Sequence, residues 1–358
     1  MVTVAEIDNG LRFEAGVFSR AARPEVVREE QNVLVYVIAF LIIVCTGGCG
    51  GSLTPPTGGG GPQTGVDQWV RLAPGPLARQ EVAVAALDNS VFVIGGLTAA
   101  SQPASDVQIY DAAADSWMLT TPIPVPVHHA GAVWVGGKLY VFGGFAGPSS
   151  AAIDQTFIFD PQSRSWTAGP TMLETKGAFA IAADNRRVYL IGGVRGNIQL
   201  ASVDEFYTSS STWRVLPSMP TPRNHVVAGI VGGGILVVGG RDNTTSRLTA
   251  TEFFDLTTQQ WRSLPPMPTG RSGSAAAVFG SRFYVFGGEV NPSSTSGVFA
   301  NSEYFDMAEG QWHTALSMEV PKHGTGAAVV GNRIIIPQGA TAAGIGPTSS
   351  CEAYVVNL

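Results

Sequence analysis

The amino-acid sequence predicts an all-β fold, a six-bladed β-propeller. A short apolar run ends in Gly-Gly five times, and the first glycines of these pairs are Gly95, Gly143, Gly192, Gly239 and Gly287. The steps between them are 48, 49, 47 and 48 residues. Tryptophan follows the same period, at Trp117, Trp166, Trp213, Trp261 and Trp312. A fixed period of this length is typical of repeat arrays, propellers included.

Each repeat contains four short segments with the composition of β-strands. In the second repeat these are 132–135, 140–144, 157–160 and the run around Trp166. They are rich in β-branched and aromatic residues and are bounded by Gly, Asn and Ser, as strands are. Four antiparallel strands form one propeller blade. The runs are apolar at nearly every position, so both faces of each blade are expected to be buried.

The two ends of the chain are predicted to complete one blade. After Trp312 the chain provides three further strands, at 326–330, 333–339 and 351–356, but no strand with a tryptophan. The segment 66–76 contains Trp69 and has no blade before it. We therefore expect the Trp69 strand to join the last blade, which removes two open sheet edges.

The sixth blade departs from the pattern. Gln338 replaces the first glycine, and Pro337 beside it cannot donate a ladder hydrogen bond.

The repeat resembles the Kelch repeat. The resemblance rests on Gly-Gly after the second strand, an aromatic residue followed by Asp on the third, and Trp on the fourth. A Met-Pro-x-x-Arg turn opens the next blade at 219–223 and again at 267–271. The resemblance implies that ligands bind the face built by two kinds of loop, the turn after Gly-Gly and the turn that leads into the next first strand.

Composition excludes one class of partner and divides the chain into four parts. Only 13% of the 358 residues are charged and the net charge is −6, so the basic patch that nucleic-acid binding requires is not expected. Residues 1–31 form a polar extension, residues 32–49 a signal-like segment, residues 50–65 a Gly/Pro/Thr-rich linker, and residues 66–358 the propeller.

The signal-like segment predicts export and a membrane tether. Residues 33–45 form an apolar run of 13, which is short for a membrane span and fits a signal peptide. Cys49 follows small residues and resembles the lipidated cysteine of a bacterial lipoprotein; an uncleaved signal anchor is the alternative. Either would place the propeller in the cell envelope, outside the cytoplasm. Cys351 would then have no disulfide partner.

Candidate ligand-binding residues lie in the two kinds of loop. Counting 16 residues back from the first glycine position of each repeat leads to Arg79, Val127, Lys176, Arg223, Arg271 and Lys322. Close to these positions lie Glu81, His128, His129, Asn224, His225, Ser272 and His323. After the Gly-Gly pairs come Arg195, Arg241, Asp242 and Glu289.

Two interpretations of the five cations remain open. They could bond carbonyl groups within the fold, or they could form an electropositive surface for a carboxylate or an acidic protein segment. We hypothesise that Arg223 and Arg271 are structural, since each ends a Met-Pro turn, and that Lys176 and Lys322 contact a ligand. A glutamate recurs on the third strand, which argues for a structural function in each blade; its members are taken as Glu205, Glu252, Glu303 and Glu352.

The predicted function is a monomeric binding module for a protein partner or for an acidic or carbohydrate ligand. No metal or other cofactor is expected, because ligands on separate blades would be far apart. The copper oxidases of the Kelch superfamily use a Tyr cross-linked to a Cys, and only Cys351 lies in the propeller. The alternative is an enzyme similar to the Kelch mutarotase that acts on sialic acid, a sugar mutarotase or epimerase. Glu81 with His129 or His225 would then serve as acid and base.

Overall fold

The computed structural model describes residues 66–147 and 151–357, and in these ranges every regular element is a β-strand. They include six four-stranded antiparallel sheets, in each of which neighbouring strands are hydrogen-bonded in one continuous order. No helix in these ranges is long and apolar enough to cross a membrane. The predicted extension 1–31, signal-like segment 32–49, linker 50–65 and lipid site Cys49 lie outside the described residues.

The sheets are the blades of the propeller, numbered here in chain order. Blade 1 contains Ala83–Leu87, Ser90–Ile94, Val107–Asp111 and Ser116–Thr120. Blade 2 contains Gly131–Val135, Lys138–Phe142, Thr156–Asp160 and Ser165–Ala168. Blade 3 contains Ala180–Ala183, Arg187–Ile191, Val203–Tyr207 and Thr212–Leu216. Blade 4 contains Val227–Val231, Gly234–Val238, Thr251–Asp255 and Gln260–Ser263. Blade 5 contains Ala275–Phe279, Arg282–Phe286, Ser302–Asp306 and Gln311–Ala315. Blade 6 contains Ala328–Val330, Arg333–Pro337, Cys351–Val355 and Gln68–Leu72.

Short strands lie in three of the connecting loops and form two small sheets. One small sheet joins Val127–His128, Phe145–Ala146 and Ala151–Ala152. Another joins Val194–Arg195 and Ile198–Gln199. In both, a loop after Gly-Gly takes part, so these loops are held by backbone pairing.

The blades form a ring in which the first strands face the centre. The first strand of each blade contacts the first strands of its two neighbours, and Ala328–Val330 of blade 6 contacts Ala83–Leu87 of blade 1. The chain's first described strand completes blade 6, since Gln68–Leu72 pairs antiparallel with Cys351–Val355 and Trp69 lies opposite Tyr354. The Trp69 indole meets the rings of Tyr354 and Phe286 edge-on, with centroid distances of 5.1 and 5.6 Å.

The repeated tryptophans link neighbouring blades. In five of six blades the indole N–H on the fourth strand donates to a backbone carbonyl just beyond the fourth strand of the preceding blade. The pairs are Trp69–Leu316, Trp117–Ala73, Trp166–Thr121, Trp261–Pro217 and Trp312–Pro265, at 2.7 to 3.0 Å. Because an indole combines a large apolar area with one donor, it can fill the space between blades and satisfy a carbonyl there.

Candidate functional site

One residue in the turn that leads into each first strand adopts a left-handed backbone conformation. Its φ lies between 49° and 64° in all six blades. The backbone N–H of each such residue donates to the carbonyl of its counterpart in the preceding blade, so the bonds form a closed circle. We call this circle the hub ring; its members are Glu81, His129, Ala178, His225, Gly273 and Gly324.

The left-handed conformation is unfavourable for four of the six hub residues, which are not glycine. A residue with a Cβ atom loses about 1–2 kcal/mol in this conformation, whereas glycine adopts it freely. Glycine is present in blades 5 and 6, but Glu81, His129 and His225 carry long ionisable side chains at φ values of 55°, 55° and 49°. Such positions cluster at functional sites. The three side chains therefore call for an explanation other than the fold.

The hub ring lies at one end of a central channel. The channel encloses about 450 Å³ and is lined by all six hub residues and by small side chains of the first strands, such as Ala85, Ala132 and Ala182. Asp184 and Asn185 lie at the opposite end of the blade 3 first strand and also line it. Most of the other side chains that line the channel are alanine and valine, so the ionisable hub side chains dominate this end.

Six ionisable side chains from five blades meet at this end. We call them the mouth cluster: Glu81, His129, His225, Arg241, Glu289 and His323. His129 is at its centre, with its Nε2 atom 3.0 Å from Glu81 Oε2 and 3.0 Å from His225 Nε2. Phe145 packs against the His129 ring with a centroid distance of 5.5 Å, although the sequence analysis did not select it.

Arg241 connects the histidines to Glu289. Its NH2 atom lies 2.9 Å from His225 Nε2, and its NH1 atom donates to Glu289 Oε1 at 2.6 Å. Its Nε atom donates to Asn224 Oδ1 at 3.3 Å. One third of the Arg241 side chain, 33%, is exposed. Of the candidate cations, Arg241 thus combines access to solvent with a place in the mouth cluster.

His323 is buried and has one ring nitrogen without a hydrogen-bond partner. Its Nε2 atom lies 2.9 Å from the carbonyl oxygen of Ala342, so Nε2 carries the proton. The Nδ1 atom points toward Glu81 Oε1 at 3.6 Å and Glu289 Oε2 at 3.8 Å and makes no hydrogen bond. A buried polar atom without a partner is costly, and it marks a site where another group could bind.

Burial and mutual proximity shift the pKa values in and beside the cluster. Burial alone would raise the pKa of the Glu81 carboxyl, but His129, His225 and His323 outweigh it and hold that pKa below its usual range. Burial, followed by the charges of His129 and Arg241, lowers the pKa of His225 well below its ordinary value. Burial lowers the pKa of His128 to about 4, with a further contribution from His129.

The five cations of the predicted ring do not line the channel; each pairs with an acid of its own blade. The pairs are Arg79–Asp106, Lys176–Asp204, Arg223–Glu252, Arg271–Glu303 and Lys322–Glu352. The structural interpretation therefore fits all five. The hypothesis that Lys176 and Lys322 contact a ligand is wrong, because their side chains are fully buried, with 0% exposure.

The arginines add backbone bonds to this pattern. Arg223 NH2 donates to the carbonyl of Val237 at 3.3 Å, and Arg271 NH2 donates to the carbonyl of Val285 at 3.1 Å. Both acceptors lie on the second strand of the arginine's own blade. The cation and its acid therefore hold the loop against the second and third strands.

Blade 2 shows the apolar version of this pair. Val127 occupies the place of the cation and Phe157 the place of the acid, and both are buried in one apolar cluster. In blade 3 the acid of the pair is Asp204, which occupies the register of Glu252; Glu205, which the sequence analysis placed at that register, is one residue further along the strand. Glu205 instead accepts from Arg214 Nε at 2.6 Å.

The remaining predicted residues lie around the cluster. Asn224 and His128 are direct neighbours of His225 and His129. Ser272 is buried and its Oγ donates to the carbonyl of Ser246 at 3.1 Å. Arg195 is half exposed and lies 3.4 Å from Glu174, and Asp242 accepts from the backbone N–H groups of its own loop.

The expectation that side chains from separate blades lie too far apart to share a ligand is wrong. Glu81, His129 and His225 each offer one ligand atom, and these three atoms lie within 4.8 Å of one another. The circular hydrogen bonding of the hub ring is the reason, because it brings the six loops to one point.

The comparisons with known proteins agree with the propeller fold. Residues 67–219 and 178–348 match the family model described as the KLHDC2/KLHL20/DRC7 Kelch-repeats domain. The chain belongs to the Kelch-repeat family. Among the solved structures, one titled "Structure of YjhT" shares the fold of this Kelch propeller, with a TM-score of 0.67 over 78% of this chain and 95% of that chain. The sequence identity is 17%, so the likeness concerns the fold alone.

Curated Kelch proteins are similar to this propeller over part of their length. Kelch-like protein terF of Aspergillus terreus is 32% identical over 289 residues, which cover 74% of this chain and 62% of that protein. Kelch-like protein 35 of Mus musculus is 25% identical over 191 residues, which cover 53% of this chain and 32% of that protein. The chain thus spans less than two thirds of the length of the curated relatives it matches.

Proposed function

We propose that this Kelch propeller is a binding module that recognises a partner protein through the loop face, with the mouth cluster at the centre of contact. The convergence of six ionisable side chains from five blades carries the proposal. The ion pairs of five blades and the apolar pair of blade 2 already hold the loops, so the fold has no need of this second set of charges. Charged groups without a structural purpose in a concave site are typical of recognition sites.

The chemistry of the mouth cluster favours a partner that presents an acidic segment. Arg241 is partly exposed and bonded to Glu289, so a carboxylate of the partner can take the place of Glu289 beside the guanidinium. Arginine binds carboxylates through two parallel hydrogen bonds, which gives direction as well as strength. The loops around the mouth, 97–104 and 241–250, are rich in Ser, Thr, Asn and Gln, which suit the polar rim of an interface.

Capture from an envelope extract by the full chain tests the proposal. Arg241→Gln should reduce capture of the bound protein at least tenfold, whereas Glu289→Gln should increase it because the guanidinium is released. Arg262→Gln is the matched control, since this arginine lies over the Phe253 ring on the outer part of blade 4. Equal capture by all three variants would overturn the proposal.

The same proposal places the module at the cell envelope. Its support is the apolar run 33–45 followed by Cys49 in the sequence, with the linker 50–65 as spacer. A flexible linker of this composition would leave the loop face free to meet a partner.

A second candidate function is favoured by one observation. The Glu81 carboxylate and the His129 imidazole form an acid–base pair at 3.0 Å, in a cluster that also contains Arg241. A sugar acid bound through its carboxylate could meet these groups, as a mutarotase or epimerase requires. Anomer exchange of sialic or uronic acids followed by NMR tests it, and Glu81→Gln should then abolish any catalysed rate.

A further inference from the structure

We propose that Glu81, His129 and His225 bind one divalent cation of the zinc class at the end of the central channel. His129 Nε2 lies 3.0 Å from both Glu81 Oε2 and His225 Nε2. Neighbouring ligand atoms of a tetrahedral zinc ion, with bonds of about 2.0–2.1 Å, lie about 3.3 Å apart. Two of the three pairs of atoms thus have about the spacing that an ion requires, and all three atoms lie within 4.8 Å of one another.

His225 is held in the orientation and tautomer that a metal ligand needs. Its Nδ1 atom donates to Asn224 Oδ1, which also accepts from Arg241 Nε. The oxygen receives both donors, so Nδ1 is protonated and the lone pair is on Nε2, the atom that faces His129 and Glu81. Metal-binding histidines usually donate their other ring N–H to an oxygen in this manner.

His129 makes the equivalent arrangement with a second imidazole. Its Nδ1 atom contacts His128 Nδ1, which leaves Nε2 directed at Glu81 and His225. Its Nε2 atom lies 3.0 Å from both Glu81 Oε2 and His225 Nε2, so a cation placed among these atoms would contact all three groups at once.

His323 supplies independent support. It is buried, with a side chain 1% exposed, and its Nδ1 atom lies 3.6 Å from Glu81 Oε1 and 3.8 Å from Glu289 Oε2 without a hydrogen-bond partner. Its Nε2–H is bonded to the carbonyl of Ala342. A buried ring nitrogen without a hydrogen-bond partner beside Glu81 marks a place where a further group can bind.

The backbone conformation of the three ligand residues also supports a shared ion. Glu81, His129 and His225 occupy three of the four hub positions that are not glycine, and each is in the left-handed region. This conformation turns their side chains toward the channel. Each side chain is kept at a conformational cost, and a shared ion would compensate for it.

The three ligand side chains determine which ion is favoured and whether a coordination position stays open. Two imidazoles and one carboxylate suit zinc, and with three protein ligands the fourth position stays open, as in catalytic zinc sites. All three residues line the channel, whose walls are mainly alanine and valine. Water or a donor group of the partner can complete the coordination.

Arg241 competes with the cation. Its NH2 atom lies 2.9 Å from His225 Nε2 and uses the lone pair that the ion requires. The side chain is 33% exposed and can move outward with Glu289. Removal of its charge should therefore tighten metal binding, an outcome that a merely structural histidine cluster would not produce.

Zinc titration of the full chain in a Cys45→Ser/Cys49→Ser background, without a histidine tag, tests the proposal. Competition with a chromophoric chelator should show one Zn²⁺ per chain. Co²⁺ should give the intense visible bands of four-coordination in the unmodified site. His129→Ala and His225→Ala should each weaken binding at least 100-fold, and Arg241→Gln should strengthen it at least threefold.

His313→Ala is the matched control, because His313 is on the outer strand of blade 5 and bonded to Glu309, away from the cluster. It should leave zinc binding unchanged. Absence of stoichiometric binding to the parent chain, or binding that persists in a folded His129→Ala/His225→Ala variant, would overturn the proposal. The zinc site lies in the mouth cluster and so rests on the proposed function, but the two proposals can fail separately. Zinc binding is measured without a partner, and capture of the partner is measured with a chelator present.

Discussion

The backbone N–H of Glu81 donates to the carbonyl of Gly324, and this bond closes the hub ring between blades 1 and 6. Five equivalent bonds connect the other neighbouring blades. Each loop is therefore fixed on both sides, and the six left-handed residues are held at one radius. The fold thus gives this chain a rigid circle of side-chain positions, three of which it fills with ligand-type groups.

The left-handed backbone of the hub ring leads to a prediction about the stability of glycine variants. We expect His225→Gly to have a free energy of unfolding about 1 kcal/mol higher than that of His225→Ala, because both lose the imidazole but only alanine is strained at a φ of 49°. Urea unfolding measures the difference.

Gly273→Ala is the reciprocal control. Its φ is 64° and an added Cβ would have no neighbour closer than 3.6 Å, so the expected loss of about 1 kcal/mol comes from the backbone alone. Equal stabilities of the glycine and alanine forms at both positions would contradict the account of strain.

The ion pair of blade 5 makes a second prediction. The Arg271 side chain is buried against Glu303 and the carbonyls of Thr269 and Val285. Arg271→Ala should lower the free energy of unfolding by about 3–5 kcal/mol, because it leaves a buried carboxylate unpaired.

The apolar pair of blade 2 suggests a double substitution that should restore stability lost in Arg271→Ala. Arg271→Val/Glu303→Phe copies the pair Val127 and Phe157, which fills the same two places without charge. The double variant should be more stable than Arg271→Ala, since replacing both charges removes the desolvation penalty. Calorimetric melting of the parent chain, the single variants and the double variant measures their stabilities. The explanation would be refuted if the double variant lost as much unfolding free energy as the two single variants together.

The repeat made much of the architecture predictable. The spacing of Gly-Gly and Trp was enough to identify four strands per blade and to assign Trp69, which has no blade before it, to the end of the chain. These features depend on period alone, and the chain repeats them in nearly every blade.

The sequence predicted which loops form the site but not which side chains face the channel, and the reason is conformational. In an extended strand residues i and i+2 face the same side. Arg223 and His225 are two apart, yet the arginine is buried in its blade and the histidine lines the channel. The left-handed turn at His225 separates them, and no residue pattern marks that conformation where glycine is absent. Composition therefore selected the correct loops but could not assign the direction of each side chain.

The lipid site remains a prediction of the sequence. If Cys49 is lipidated in a bacterial host, Cys49→Ser should move the chain from the detergent phase to the aqueous phase and abolish palmitate incorporation. Cys45→Ser is the matched control, four residues away in the apolar run. Equal labelling of both variants would exclude Cys49 as the site.

The alkylation rate of Cys351 can be used to detect opening of the strand that completes blade 6. The residue is 3% exposed, burial raises the pKa of its thiol to about 12, and Leu72 of the Trp69 strand lies directly opposite Cys351 in the sheet. In a Cys45→Ser/Cys49→Ser background the folded chain should resist alkylation at pH 8, because the reactive thiolate is scarce and shielded.

Trp69→Ala should release that thiol. The substitution removes the indole from between Tyr354 and Phe286 and breaks its bond to Leu316, at a cost of about 2–4 kcal/mol. Local opening of the edge strand should then raise the alkylation rate of Cys351 at least tenfold, as followed by mass spectrometry. Met118→Ala, at an exposed position on the fourth strand of blade 1, should leave the rate unchanged. If Trp69→Ala alkylates no faster than Met118→Ala, the Trp69 strand does not hold blade 6 closed.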